Sequence, residues 1–234
     1  MKKLTATGYK IPEILKKSEI FSSLTEQELK KISPFFEKIT YRNNETIFAE
    51  GDPSDKFYIV AEGNVKVLKH TVMGKDIILE IMSPGDIFGG VAVLDKKPYP
   101  ASAQAMEFTT SIRISRQNLL KIMEEYPILK HEIVRYFSDK LRDAHEMLKN
   151  IATERVEKRI ASLLLKLSEK VGIEENEFTK IDFPLTRQEI AEMVGTTVET
   201  CIRTMSKLQK RGMVKSSNGR ISIKVASLNR FLEE

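Results

Sequence analysis

The sequence predicts an α+β chain of three parts, because the hydrophobic period changes twice along it. Between about residues 39 and 114, short β-rich runs are broken by glycines, the pattern of a β-roll or jelly roll. The 25 residues after Pro127 hold no glycine or proline and place apolar residues every three or four positions, the pattern of one long helix. From Phe183 onward two short capped helices precede a hairpin, which predicts a winged helix-turn-helix. The expected boundaries are 1–125 for the roll with its N-terminal helices, 126–152 for the long helix and 153–234 for the winged helix-turn-helix.

In the first part, Ile11, Ile14 and Leu15 have helical spacing, and Thr25 with Glu28 forms a capping box for a second helix. The runs ETIFAEG, KFYIVAEG, NVKVLKH, DIILEIMSPG and SIRIS read as strands, with Phe57 and Ile59, then Val65 and Val67, alternating toward one inner face. Gly51, Gly63, Gly74 and Gly85 fall where the chain must turn. Pro127 suits the first position of the long helix. Within it Val134, Phe137, Leu141, Ala144, Leu148 and Ile151 form a heptad seam, expected to join two copies in parallel rather than to lie on the roll. A helix from Glu154 to Val171, ended by Gly172, and a polar linker, GIEENEFTK, should follow.

In the last part Thr186 and Glu189 cap a short helix, Gly195 makes the turn, and a second helix begins near Thr197. On that helix Val198, Ile202, Met205 and Leu208 should pack inward or sideways, while Glu199, Thr200, Arg203 and Lys207 face out. Asn218-Gly219 signals the hairpin of the wing. From Phe183 to Arg230 there are nine basic side chains and three acidic ones, a footprint suited to a phosphate backbone; residues 1–149 hold 23 against 21.

Composition sets the outer limits. With 41% hydrophobic and 30% charged residues and no run long enough to span a bilayer, the chain is expected to be cytoplasmic and to use no membrane. Its basic start lacks the apolar core of a secretory signal. A single cysteine, Cys201, forms neither an internal disulfide nor a multi-cysteine metal site.

The segment RQEIAEMVGTTVETCIRTMSKLQKRGMV resembles the DNA-binding domain of the cyclic-AMP receptor protein and fumarate–nitrate reductase regulator (CRP/FNR) family. FAEGDPSDKFYIVAEGNVKV is similar to that family's cyclic-nucleotide-binding-type β-roll, and GDIFGGVAVLDKKPYPASAQA to its effector cassette. The resemblance covers about residues 20 to 230 and implies a dimeric regulator that binds an inverted repeat in double-stranded DNA and works with RNA polymerase. It makes Glu199 and Arg203 the base-reading pair, with Arg187 and Thr200 on phosphates and Thr197, Val198, Lys207 and Arg220 completing the interface. An intrahelical Glu199–Arg203 ion pair is the plain alternative.

Cyclic-AMP-binding members carry a glutamate after the Phe-Gly of the cassette and an arginine before the later small-Ala pair; Gly90 and Tyr99 stand there. Cyclic AMP is therefore disfavoured, and an iron–sulfur cluster lacks its thiolates. The remaining candidate effector set is Phe88, Gly89, Gly90, Val91, Tyr99, Pro100 and Ala101, similar to that of nitric-oxide and nitrosative-stress regulators, some of which use haem. Haem stays open as a cofactor, with His70, His131 or His145 as axial ligand; the resemblance, counted back without gaps from Val156, puts the family's adenine-contacting pair on Ala144 and His145 and so implies that His145 faces the effector. Two other classes compete. A cupin-type enzyme needs clustered histidines, which the sequence does not supply, and an interaction module without DNA binding leaves the basic C-terminal part unexplained.

Overall fold

The computed structural model describes residues 10–71, 74–217 and 219–234. The first nine residues of the basic start, and Asn218 of the expected wing turn, lie outside them. Contacts group the chain into two units, one holding the described residues up to Gly74 with Leu79–Leu141, the other Lys75–Ile78 with Arg142–Glu234.

The first unit opens with α1 (Ile11–Lys17) and α2 (Glu26–Ile32). Thr25 accepts from Glu28 N–H at 3.4 Å while the Glu28 carboxylate accepts from Thr25 N–H at 2.7 Å, the capping box read from sequence. Strands follow as β1 (Glu37–Tyr41), β2 (Thr46–Phe48), β3 (Lys56–Glu62), β4 (Val65–His70), β5 (Asp76–Met82) and β6 (Ile87–Phe88). After α3 (Gly90–Asp95) come β7 (Ser102–Ala105), β8 (Thr109–Ser115), α4 (Arg116–Glu125) and α5 (Ile128–Thr153). The strands form two sheets, β1-β8-β3-β6 and β2-β7-β4-β5. This is the expected roll. Gly51, Gly63, Gly74 and Gly85 all have positive φ, as their turn positions required.

One strand departs from the alternation. In β3, Phe57 through Ala61 are all buried, because β8 and β6 flank it in the sheet and α1, α3 and α4 lie against it. Phe21 meets Phe57 and Phe36 edge-on at 6.4 and 5.6 Å, so the N-terminal helices belong to the same core. Leu129, Ile133 and Tyr136 of α5 join that core, and the Tyr136 hydroxyl donates to the Ile87 carbonyl at 3.1 Å. The long helix starts one residue after Pro127.

The second unit holds α6 (Val156–Val171), β9 (Gly172–Glu175), β10 (Phe178–Ile181), α7 (Arg187–Val194), α8 (Val198–Lys210), β11 (Val214–Ser217), β12 (Arg220–Ile223) and α9 (Val225–Glu233). Its sheet runs β11-β12-β10-β9. The stretch expected as a polar linker is instead the β9–β10 hairpin, turned at Asn176 with φ 56°. Gly172 ends α6 as expected but without left-handed backbone: its φ is −78°, and an added Cβ would stand 2.1 Å from the Ser168 carbonyl oxygen. Close approach of the hairpin to α6, not left-handed backbone, demands glycine there.

Candidate nucleic-acid interface and sensor core

The helix-turn-helix is built from two caps and one glycine. The Thr186 hydroxyl accepts from Glu189 N–H at 3.1 Å and the Glu189 carboxylate accepts from Thr186 N–H at 2.9 Å, which starts α7. Gly195 ends it with φ 65°, and its N–H donates to the Ala191 carbonyl. The Thr197 hydroxyl then accepts from Thr200 N–H at 3.2 Å and starts α8. Arg159 of α6, which the sequence did not single out, donates to the Gly195 carbonyl at 3.5 Å and to the Ile151 carbonyl at 3.2 Å, tying the turn to the end of α5.

Behind α8, Cys201, Thr204, Met205 and Leu208 are buried. Burial pushes the Cys201 thiol up, against the pull of Arg187. In front stand Glu199, Ile202, Arg203, Ser206, Lys207 and Lys210, all exposed, with Thr200 and Val198 half-buried. Ile202, 49% exposed, lies on the side of the helix rather than inside it. The intrahelical ion pair is not formed: Arg203 reaches the Thr200 hydroxyl at 3.4 Å, and Glu199 is held below the usual carboxylate range by its own N–H and the Thr197 hydroxyl. Arg187 begins α7 and is half-buried. Lys207 pairs with Glu157 at 3.4 Å and Arg220, on β12, with Asp182 at 2.7 Å.

The effector cassette is scattered by comparison. Phe88, Tyr99 and Ala101 are buried, Gly89 is half-buried, and Val91 and Pro100 face solvent. The Tyr99 ring stacks on Phe48 at 3.8 Å with 13° between planes, and Tyr58 stacks on Phe88 at 5.0 Å. Its hydroxyl donates to the Lys56 carbonyl at 2.6 Å and accepts from Lys56 N–H at 3.3 Å. Burial, reinforced by Tyr58, raises the Tyr99 phenol far above its ordinary range, and burial also raises Tyr58 against the pull of Arg113. Both phenols stay neutral.

Gly90 is buried, and a Cβ there would stand 3.1 Å from the Phe57 ring and 3.4 Å from that of Phe137. A side chain at 90 would press on the Phe57 ring, and at 99 an aromatic ring stands where the resemblance expects the arginine of cyclic-AMP binders. His70, His131 and His145 are all exposed. Among the described residues no group of His, Cys, Asp and Glu is arranged to hold a metal ion. The seam residues of α5 divide. Val134 is 67% exposed, Leu141 57% and Leu148 64%, with Ala144 and Ile151 also exposed, whereas Phe137 packs against the core of the roll.

Residues 38–126 match the cyclic nucleotide-binding domain and residues 158–231 the Crp-like helix-turn-helix domain. The chain belongs to the CRP/FNR family. This CRP/FNR regulator is 27% identical over 203 residues to a "CRP-like cAMP-activated global transcriptional regulator" of Mycobacterium tuberculosis, spanning 87% of this chain and 91% of the relative. The "Cyclic AMP receptor protein" of Thermus thermophilus is 28% identical over 214 residues, 92% of this chain and 96% of the relative. Among solved structures, FixK2 from Bradyrhizobium japonicum has the same fold, with a TM-score of 0.75 at 23% identity over 83% of this chain and 96% of its own. The chain is thus a DNA-binding transcriptional regulator of the CRP/FNR type, and its relatives are regulators rather than enzymes. None of its described helices is long and apolar enough to cross a membrane.

Proposed function

We propose that α8 enters the major groove as half of a symmetric dimer, with Glu199 and Arg203 reading base edges, and that the roll answers to a small effector other than cyclic AMP. The observation that carries this reading is the outward, mutually unpaired Glu199 and Arg203 on a helix capped at Thr197 and fixed from behind. A guanidinium fork matches guanine O6 and N7, and a carboxylate accepts from cytosine N4. Arg187, at the start of α7, is suited to a phosphate. The exposed Val134, Leu141 and Leu148, seven residues apart, support a partner helix on α5, since an isolated helix gains nothing from an apolar seam in water. Packed rings at Gly90 and Tyr99 support an effector other than cyclic AMP. RNA polymerase is the further partner that membership of the family implies.

Competition gel shifts with single-pair operator variants test the reading. The expected operator is an inverted repeat bound by two chains, with half-sites about one helical turn, ~34 Å, apart. Arg203→Ala should cost about 1–3 kcal/mol per half-site and relax the preference at one G·C pair. Arg187→Ala should weaken all sequences alike. Full retention of the G·C preference in Arg203→Ala would mean that α8 is not the reading helix.

A further inference from the structure

The exposed face of α8 carries an apolar line beside its polar one. Val198 and Ile202 are four residues apart and so lie along one line of the helix; Glu199 and Arg203 lie along the next. Ile202 is 49% exposed, whereas the apolar residues behind the helix, Cys201, Met205 and Leu208, are buried. The half of Ile202 left open to water adds nothing to the core, and a β-branched side chain slightly weakens a helix. Folding therefore gives that open half no use. Arg203 follows Ile202 directly and, with Lys207 and Lys210 further along the exposed side of α8, points to a polyanion as the occupant of this face.

In the major groove thymine alone of the four bases offers a methyl group, at C5, beside its O4 acceptor. We propose that Ile202, flanked by Val198, reads a thymine C5-methyl next to the G·C pair assigned to Arg203. The inference rests on the proposed reading of α8. Isoleucine would select in two ways. Its methyls gain contact with the thymine methyl, and they would strip water from the amino group of an adenine or cytosine standing in the thymine's place without offering an acceptor. A serine at 202 would lose both effects.

The test uses operators selected from random DNA by the full-length protein, with each thymine of the half-site replaced singly by deoxyuridine. That exchange removes the methyl and leaves the base pair and O4 in place. Anisotropy titrations should find one thymine per half-site whose replacement weakens binding about fourfold, the worth of one buried methyl. Replacement in both half-sites should give roughly fifteenfold, as independent sites add in free energy. Ile202→Ala should bind the unmodified operator more weakly, keep the G·C preference and no longer sense the deoxyuridine. Because Ile202 lies on the surface, its melting should match the wild type, and Ile202→Val should keep part of the methyl response. Insensitivity of the wild type at every thymine, with the G·C preference still lost in Arg203→Ala, would overturn the methyl assignment alone. If Arg203→Ala keeps that preference, the reading of α8 falls and this inference falls with it.

Discussion

In the roll, Phe48 from one sheet and Tyr58 and Phe88 from the other turn toward one another and, with Tyr99, close the space between them. In the helix-turn-helix the side chains that matter turn away from the core, and Cys201, Met205 and Leu208 hold them out. The first region offers rings stacked on one another. The second is already in the form in which it would be used, because its caps and its glycine turn fix the helix before any partner arrives.

The largest expected effect lies in the closed region. Phe48→Ala removes a ring that touches Tyr58, Phe88 and Tyr99 and should destabilise the roll by about 3–5 kcal/mol. Tyrosine fluorescence in denaturant reports this directly, since all six tyrosines lie before residue 142. A loss under about 1 kcal/mol would break the contrast, because it would mean a loosely filled seat. Gly90→Glu comes next. It restores the carboxylate of the cyclic-AMP binders but forces Phe57 and Phe137 apart, at about 1–3 kcal/mol. Calorimetry of wild type and variant with cyclic AMP should show nothing tighter than about millimolar, and micromolar binding by the wild type would reverse the view of the cassette. Smallest is Thr186→Ala, which deletes one cap of the open region and should cost about 1 kcal/mol by far-UV unfolding while leaving base preference intact. A change in base preference would show that the reading face is less rigid than its caps suggest.

The contrast also governs what was legible in the sequence. Helix caps, glycine turns and the side chains facing out of α8 follow from spacings of three and four residues, so Thr25, Thr186, Gly195, Glu199 and Arg203 could be placed from the chain alone. For Ile202 apolar character leaves the inside and the side of the helix both open, and the structure decides for a half-exposed side position. The cassette was legible only as a string. Its stacking partner, Phe48, sits on a strand far along the chain from Tyr99, and no local period announces that meeting. The β9–β10 hairpin was hidden by polarity: β9 is exposed throughout, and its alternation carries no apolar signal. Arg159 was invisible for a related reason, since a basic residue on an amphipathic helix looks the same whether it faces water or the turn of a neighbouring motif.

Four of the nine basic side chains between Phe183 and Arg230 hold carboxylates from outside that window: Lys207 with Glu157, Arg211 with Glu234, Arg220 with Asp182 and Lys224 with Glu177. Residues 150–234 together hold 15 basic against 12 acidic side chains, a much smaller excess than the window alone suggests. For each of these four, meeting a phosphate exchanges one ion pair for another. Counterion release from DNA lowers the logarithm of the association constant by about 0.9 per phosphate neutralised for each unit of log salt. The salt slope of this regulator should accordingly reflect fewer than nine cations, leaving more of its affinity to contacts that salt does not screen, such as those of base edges with α8.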